Sequence, residues 1–154
     1  MSKLVVASLT ELAQYVGQEV AVTPWVEITQ DRINRFAEIS GDKQWMHTDV
    51  ARAVAESPYG ATVAQGFLTL SLLSPLLVNA VSIKGMKANI NYGADRVRFP
   101  SPVRSGESIR ARLTLSSIKD TPQGVQLGWH VVVESAHGKK PVCVADLLSL
   151  PQFE

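Results

Sequence analysis

Polar and apolar residues follow two different rhythms along this chain, helical spacing in the first half and strand-like alternation in the second. "SLTELAQYVG" opens with Ser8 and has Glu11 three residues later, a capping-box pattern that predicts a helix closing at Gly17. "QEVAVTPWVEI" then reads as extended chain. Thr29 suits the cap of a helix through "QDRINRFAEIS", with Ile33, Phe36 and Ala37 on one face and Gly41 as the stop. Thr48 or Asp49 caps a shorter helix, "VARAVAE", ending before Pro58. Beyond the loop "SPYGATVAQG", the run "GFLTLSLLSPLLVNAV" (66–81) is apolar nearly all round. That predicts a long helix buried against a sheet, bent at Pro75 where a bond to the Ser71 carbonyl is lost.

Four later segments carry strand signals: "MKANINYG", "ESIRARLTLSSIKD", "GVQLGWHVVVES" and "KPVCVADLLSL". The turn residues of "SPVRSG", "TPQG" and "HGKK" separate them. The third is the clearest, because Val131, Val132 and Val133 are β-branched and Trp129 is aromatic. The pattern is α+β: one buried helix facing a mainly antiparallel sheet. Such a sheet leaves an edge that needs cover, and pairing it with a second copy predicts a homodimer.

Composition narrows the function more than the fold. At 154 residues a single domain is expected, with residues 1–17 as an N-terminal helical extension. Hydrophobic residues make up 45% and charged residues 19%, which fits a globular chain. A net charge of +1 gives no reason to expect nucleic acid or a membrane surface as partner. The lone Cys143 excludes an internal disulfide and reads as a small hydrophobe in a strand. Met1 to Val6 is too short and polar-flanked for a leader peptide, so the cytoplasm is the default location.

The candidate chemistry lies in "ISGDKQWMH" (39–47). On an unbroken helix Asp42 and His47 would point roughly 140° apart, so they serve one site only if the helix stops between them. Spacing alone leaves two readings open: a catalytic acid–imidazole pair, or a C-cap loop residue beside a histidine that packs on the next helix. His137 reads as a solvated turn residue and His130 as a sheet position, neither with a carboxylate at an informative spacing. No second histidine or cysteine stands at ligand spacing from His47, so no metal is expected. A serine elbow of the G-x-S-x-G kind and a glycine-rich phosphate loop are also missing. Gly66 opens the long helix, where unpaired N–H groups can hold an oxyanion; simple loop-to-helix punctuation is the plainer reading.

"FAEISGDKQWMHTDVARA" resembles the signature of the MaoC-like, or (R)-specific enoyl-CoA hydratase, family of the hotdog fold. Gly41, Asp42, Met46, His47 and Asp49 match in register; "AQGFLTLSLLSPLL" is similar to the family's glycine-led central helix. "RFPSPVRSGESI" matches a third element through Arg98, Phe99, Pro102, Val103 and Gly106, and the resemblance spans about Ile28 to Leu150. The nodulation-protein-N-like branch is the nearest in flavour. Gln44 and Trp45 replace the usual Asn-Pro, which removes a fixed φ and leaves Gln44 to reproduce an amide hydrogen bond with a longer reach.

The resemblance implies a single hotdog domain, its long central helix wrapped by the sheet. It also implies a hydratase or dehydratase acting on 2-enoyl and (R)-3-hydroxyacyl thioesters of CoA. Asp42 and His47 would activate water, the Gly66 N–H would polarise the thioester carbonyl, and Ser74 would present a hydroxyl to the site. Gln44, Trp45, Phe67 and Leu70 are candidates to line the substrate, although core packing is the plainer role for Phe67, Leu70 and Leu73. No cofactor is implied beyond the CoA that the substrate carries. Two alternatives remain: a hotdog acyl-CoA thioesterase, disfavoured because 67–81 holds no Asp or Glu, and a non-catalytic acyl-binding or partner subunit.

Overall fold

A computed structural model describes residues 3–153. The chain begins with β1 (Leu4–Val6), α1 (Leu9–Ala13), β2 (Glu19–Val22) and β3 (Val26–Glu27). Next come α2 (Gln30–Ser40), α3 (Trp45–Thr48), α4 (Val50–Glu56) and α5 (Gly66–Ala80). β4 (Val81–Ile83), β5 (Ala88–Arg98), β6 (Ser108–Thr121), β7 (Gly124–Ser135) and β8 (Cys143–Gln152) complete it. The main sheet runs in the order β2-β6-β7-β8-β5, with β3 also on β6, and every pairing in it is antiparallel.

Alternation explains this sheet. In β6 the side chains of Ile109, Ala111, Leu113 and Leu115 are wholly buried, while Arg110, Arg112 and Thr114 between them are not. The inward set meets Trp129, Val131 and Val133 of β7 and the buried stripe Leu68, Leu73, Leu77 and Ala80 of α5. Each fully buried leucine here contributes roughly 1.5–3 kcal/mol relative to exposure. Trp129 satisfies its buried indole N–H on Ser149 Oγ at 3.0 Å. The long helix lying on an antiparallel sheet is the α+β arrangement the sequence predicts.

Two expectations are revised. The N-terminal segment holds strand β1, paired parallel with β4, as well as a helix that ends at Ala13 rather than Gly17. Residues 1 and 2 of that segment lie outside the described residues. Helix α5 continues through Pro75, yet it is not covered all round: Phe67 is 70% exposed and Val78 40%. The strands packed on α5 cover only a stripe of it, so the rest of its apolar surface stays open. Strand β5 is an edge and exposed along most of its length, with Ile90 and Tyr92 half-exposed. No helix among the described residues is long and apolar enough to cross a membrane.

Candidate active site

The helix stops where the chemistry requires. Thr29 Oγ1 accepts from the Arg32 N–H and starts α2; Gly41, at φ 81°, ends it with its N–H on the Ala37 carbonyl at 2.9 Å. A left-handed φ at that point favours glycine and turns the chain off the helix axis. Ser40 braces the exit: its hydroxyl donates to the Phe36 carbonyl at 2.7 Å and accepts from the Asp42 N–H at 3.2 Å. The single turn α3 then swings His47 back toward Asp42. Asp49 caps α4 by accepting from the Arg52 N–H at 3.0 Å.

His47 is buried and its ring is oriented by backbone. Its Nδ1 lies 2.6 Å from the Val63 carbonyl oxygen. A carbonyl can only accept, so Nδ1 carries the proton and Nε2 of the neutral ring is left with a lone pair. Nε2 faces Asp42 Oδ2 at 3.6 Å, with the His47 side chain 8% exposed and that of Asp42 37%. That separation exceeds a good hydrogen bond, and a water about 2.8 Å from both acceptors would sit beside the line that joins them. The His47 carbonyl accepts from Gln30 Nε2 at 2.7 Å, and Gln30 Oε1 accepts from the buried Thr62 hydroxyl. The Val63 N–H donates to the Met46 carbonyl at 3.0 Å, so the segment before α5 grips α3 on both sides of the ring.

Gly66 is the first residue of α5, and the Gln65 side chain makes no capping bond there. The opening N–H groups of a helix have no intrahelical acceptor. The 2%-exposed Gln65 instead reaches away, with Nε2 at 3.4 Å from both the Ile33 and Asp42 carbonyl oxygens. Its Oε1 is buried and has no partner among the described residues. The start of α5 is therefore tied to the main chain of Asp42. Sequence reasoning overlooked Gln65; the signal available was a polar residue set between apolar Ala64 and the helix start.

Gly66 has a packing reason as well. A Cβ added there would fall 2.8 Å from the Phe99 ring, so glycine is required for the ring to lie against the backbone. Phe99 in turn meets Phe67 with ring centroids 6.1 Å apart and tilted by 59°. Phe67 is thus an exposed aromatic beside the helix start, not a core residue; Leu70 is half-buried and Leu73 buried. Trp45 is half-buried under the Arg52 guanidinium, 4.3 Å from its ring centre. Gln44, exposed, donates from Nε2 to Asp42 Oδ1 at 2.9 Å.

Not all the expected residues gather. Gly66 and Phe99 line a cleft of about 230 Å³ with Tyr59 and Thr69. Ser74 lines another, of about 270 Å³, with Leu70, Ser71, Asn91 and Tyr92. Eight residues separate Ser74 from Gly66, roughly 12 Å along the helix axis. A further cavity, of about 340 Å³, lies between the far end of α5 and β2, and touches none of these residues.

A second histidine–carboxylate pair emerges from the sheet. His130 of β7 stands opposite Asp146 of β8, with Nδ1 2.8 Å from Oδ1. Arg96 Nε holds the other oxygen at 2.5 Å. Burial alone would push the Asp146 carboxyl up, but the bonds from His130 and Arg96 together outweigh it and hold the group below its ordinary value. The expectation that His130 has no informative carboxylate is therefore corrected, because strand pairing joins residues sixteen apart. Cys143 is wholly buried and its thiol is pushed up to about 11, which keeps it protonated and unreactive. No cluster among the described residues has the donors to hold a metal ion.

Residues 11–135 match the MaoC like domain family. The chain is 44% identical over 140 residues to 3-hydroxyacyl-thioester dehydratase Z of Mycobacterium tuberculosis, covering 90% of this chain and 92% of that protein. It is 39% identical over 148 residues to Nodulation protein N of Rhizobium meliloti, covering 95% and 92%. Among solved structures, R-hydratase PhaJ1 of Pseudomonas aeruginosa superposes with a TM-score of 0.73 at 25% identity, over 90% of this chain and 83% of that one.

Proposed function

Because the chain belongs to the MaoC-like domain family and is a hydro-lyase of that type, we propose that it adds water reversibly to 2-enoyl-CoA thioesters. The product is the (R)-3-hydroxyacyl thioester. One observation supports the reading: His47 Nε2 and Asp42 Oδ2 stand 3.6 Å apart, close enough for both to accept from one water.

Held between a carboxylate and a neutral imidazole, a water donates one O–H to each and keeps a lone pair for C3 of the enoyl group. The pair takes one proton as the C–O bond forms and returns a proton to C2, while negative charge passes to the thioester oxygen. Unpaired N–H groups at the start of α5 are suited to that oxygen. Positioned acid–base groups contribute about 10²–10⁴-fold to such a reaction. Thioester hydrolysis by a helix carboxylate is the weaker reading, since α5 contains no Asp or Glu.

The proposal includes a homodimer joined along β5, which would cover Ile90, Tyr92 and the open side of α5. A monomer by light scattering at micromolar concentration counts against that assembly. The chemistry is tested by following loss of enoyl absorbance with crotonyl-CoA and longer 2-enoyl-CoA, with free thiol measured in parallel. Thiol release without hydration would replace the proposal with the thioesterase reading.

A further inference from the structure

The Asp42 carboxylate is held at two levels. Gln65 Nε2 lies 3.4 Å from its main-chain carbonyl, and Gln44 Nε2 donates to its Oδ1 at 2.9 Å. The second contact decides which oxygen is free. With Oδ1 engaged by the amide, Oδ2 is the oxygen left facing His47 Nε2. Gln44 itself caps the single turn α3 with φ −56° and ψ 142° and makes no side-chain capping bond. Its amide is therefore available to the carboxylate. Asp42 follows a helix stop on an exposed loop, where a carboxylate without a partner turns freely about χ1 and χ2. A short amide tether two residues away removes that freedom.

We infer that Gln44 is a positioning residue: its amide N–H engages one oxygen of the Asp42 carboxylate and so orients the other to share a water with His47. The inference rests on the reading of Asp42 and His47 as the hydrating pair. It differs from a substrate-lining role, in which Gln44 would touch the acyl thioester and act on binding. Charge-assisted hydrogen bonds are directional, so losing the donor lets the carboxylate turn away. Near-attack geometry is sensitive to such a shift, whereas binding of the thioester is not.

Gln44 is exposed, so its replacement does not threaten the core. Gln44→Met keeps the length and removes the donor; Gln44→Glu keeps the shape and turns the donor into a repelling anion. With the 2-enoyl-CoA that the wild type hydrates, kcat is expected to fall about tenfold in Gln44→Met and further in Gln44→Glu. KM and the thermal midpoint should stay unchanged in both. Wild-type kcat in Gln44→Met, or a raised KM with kcat intact, overturns the inference. If Asp42→Asn loses activity while Gln44→Met keeps it, only the positioning role falls; if Asp42→Asn is fully active, the hydration reading itself fails. A readout free of turnover is the ¹H–¹⁵N resonance of the Gln44 side-chain amide. It should lie downfield in the wild type and lose that shift in Asp42→Ala; an amide indistinguishable from free glutamine in the wild type also overturns the inference.

Discussion

Two histidine–aspartate pairs stand among the described residues of this molecule, and they differ in contact, burial and partners. His130 and Asp146 touch directly at 2.8 Å on the outer face of the sheet, and Arg96 occupies the second carboxylate oxygen. Both carboxylate oxygens of Asp146 are engaged. His47 and Asp42 stand 3.6 Å apart, and the His47 ring is buried with its far nitrogen locked on a carbonyl. Here the two groups are too far apart for a good direct hydrogen bond. A pair in direct contact suits stabilisation; a pair too far apart for a direct bond suits a shared third molecule, as proposed above. The first geometry follows from strand register, the second from a helix broken at Gly41 and restarted at Trp45.

The largest expected effect tests that contrast directly. Asp42→Asn and His47→Gln should each lower kcat about 10²–10⁴-fold on a 2-enoyl-CoA, while Asp146→Asn and His130→Gln leave it within about twofold. Equal losses in both pairs, measured by enoyl absorbance, would erase the distinction. Next comes Gly66→Ala, whose Cβ meets Phe99 at 2.8 Å. It should cost about 1–3 kcal/mol of stability, measured by denaturant unfolding, and Phe99→Leu in the same chain should restore most of it by making room. If turnover recovers along with stability in that double variant, glycine serves packing alone. If turnover stays low, the approach to the N–H groups of α5 matters separately.

The smallest effect sharpens the other side. The Asp146 carboxyl is held below its ordinary value, so it adds stability above the usual carboxylate range and that stability is lost as pH falls through its folded value. Asp146→Asn should lower the thermal midpoint by about 2 °C at pH 7, because an exposed ion pair is worth little. That difference should shrink as pH falls through the lowered folded value and vanish once the wild-type carboxyl is protonated. A midpoint difference independent of pH would mean that the pair acts by shape rather than by charge.

Much of this was legible in the linear chain. Caps at Ser8, Thr29 and Asp49, the stop at Gly41 and the alternation of β6 are local, since each depends on residues within one turn or one strand. Periodicity likewise marked α5 and the strands after it. Local pattern failed where two distant segments decide the outcome. The exposed side of α5 depends on how much surface one sheet can cover, and Phe67 passed from core candidate to exposed aromatic for that reason.

Residues 39–47 determined, by themselves, that an acid and an imidazole would flank a helix break, because capping and glycine conformation act within a few bonds. Which imidazole nitrogen is free was decided by the Val63 carbonyl, sixteen residues away. The partner of His130, the tie from Gln65 to Asp42 and the seat of Phe99 on Gly66 were settled in the same way. Hydrogen bonds and ring contacts between segments take their partners from strand register and packing, and neither is encoded within a short window of residues.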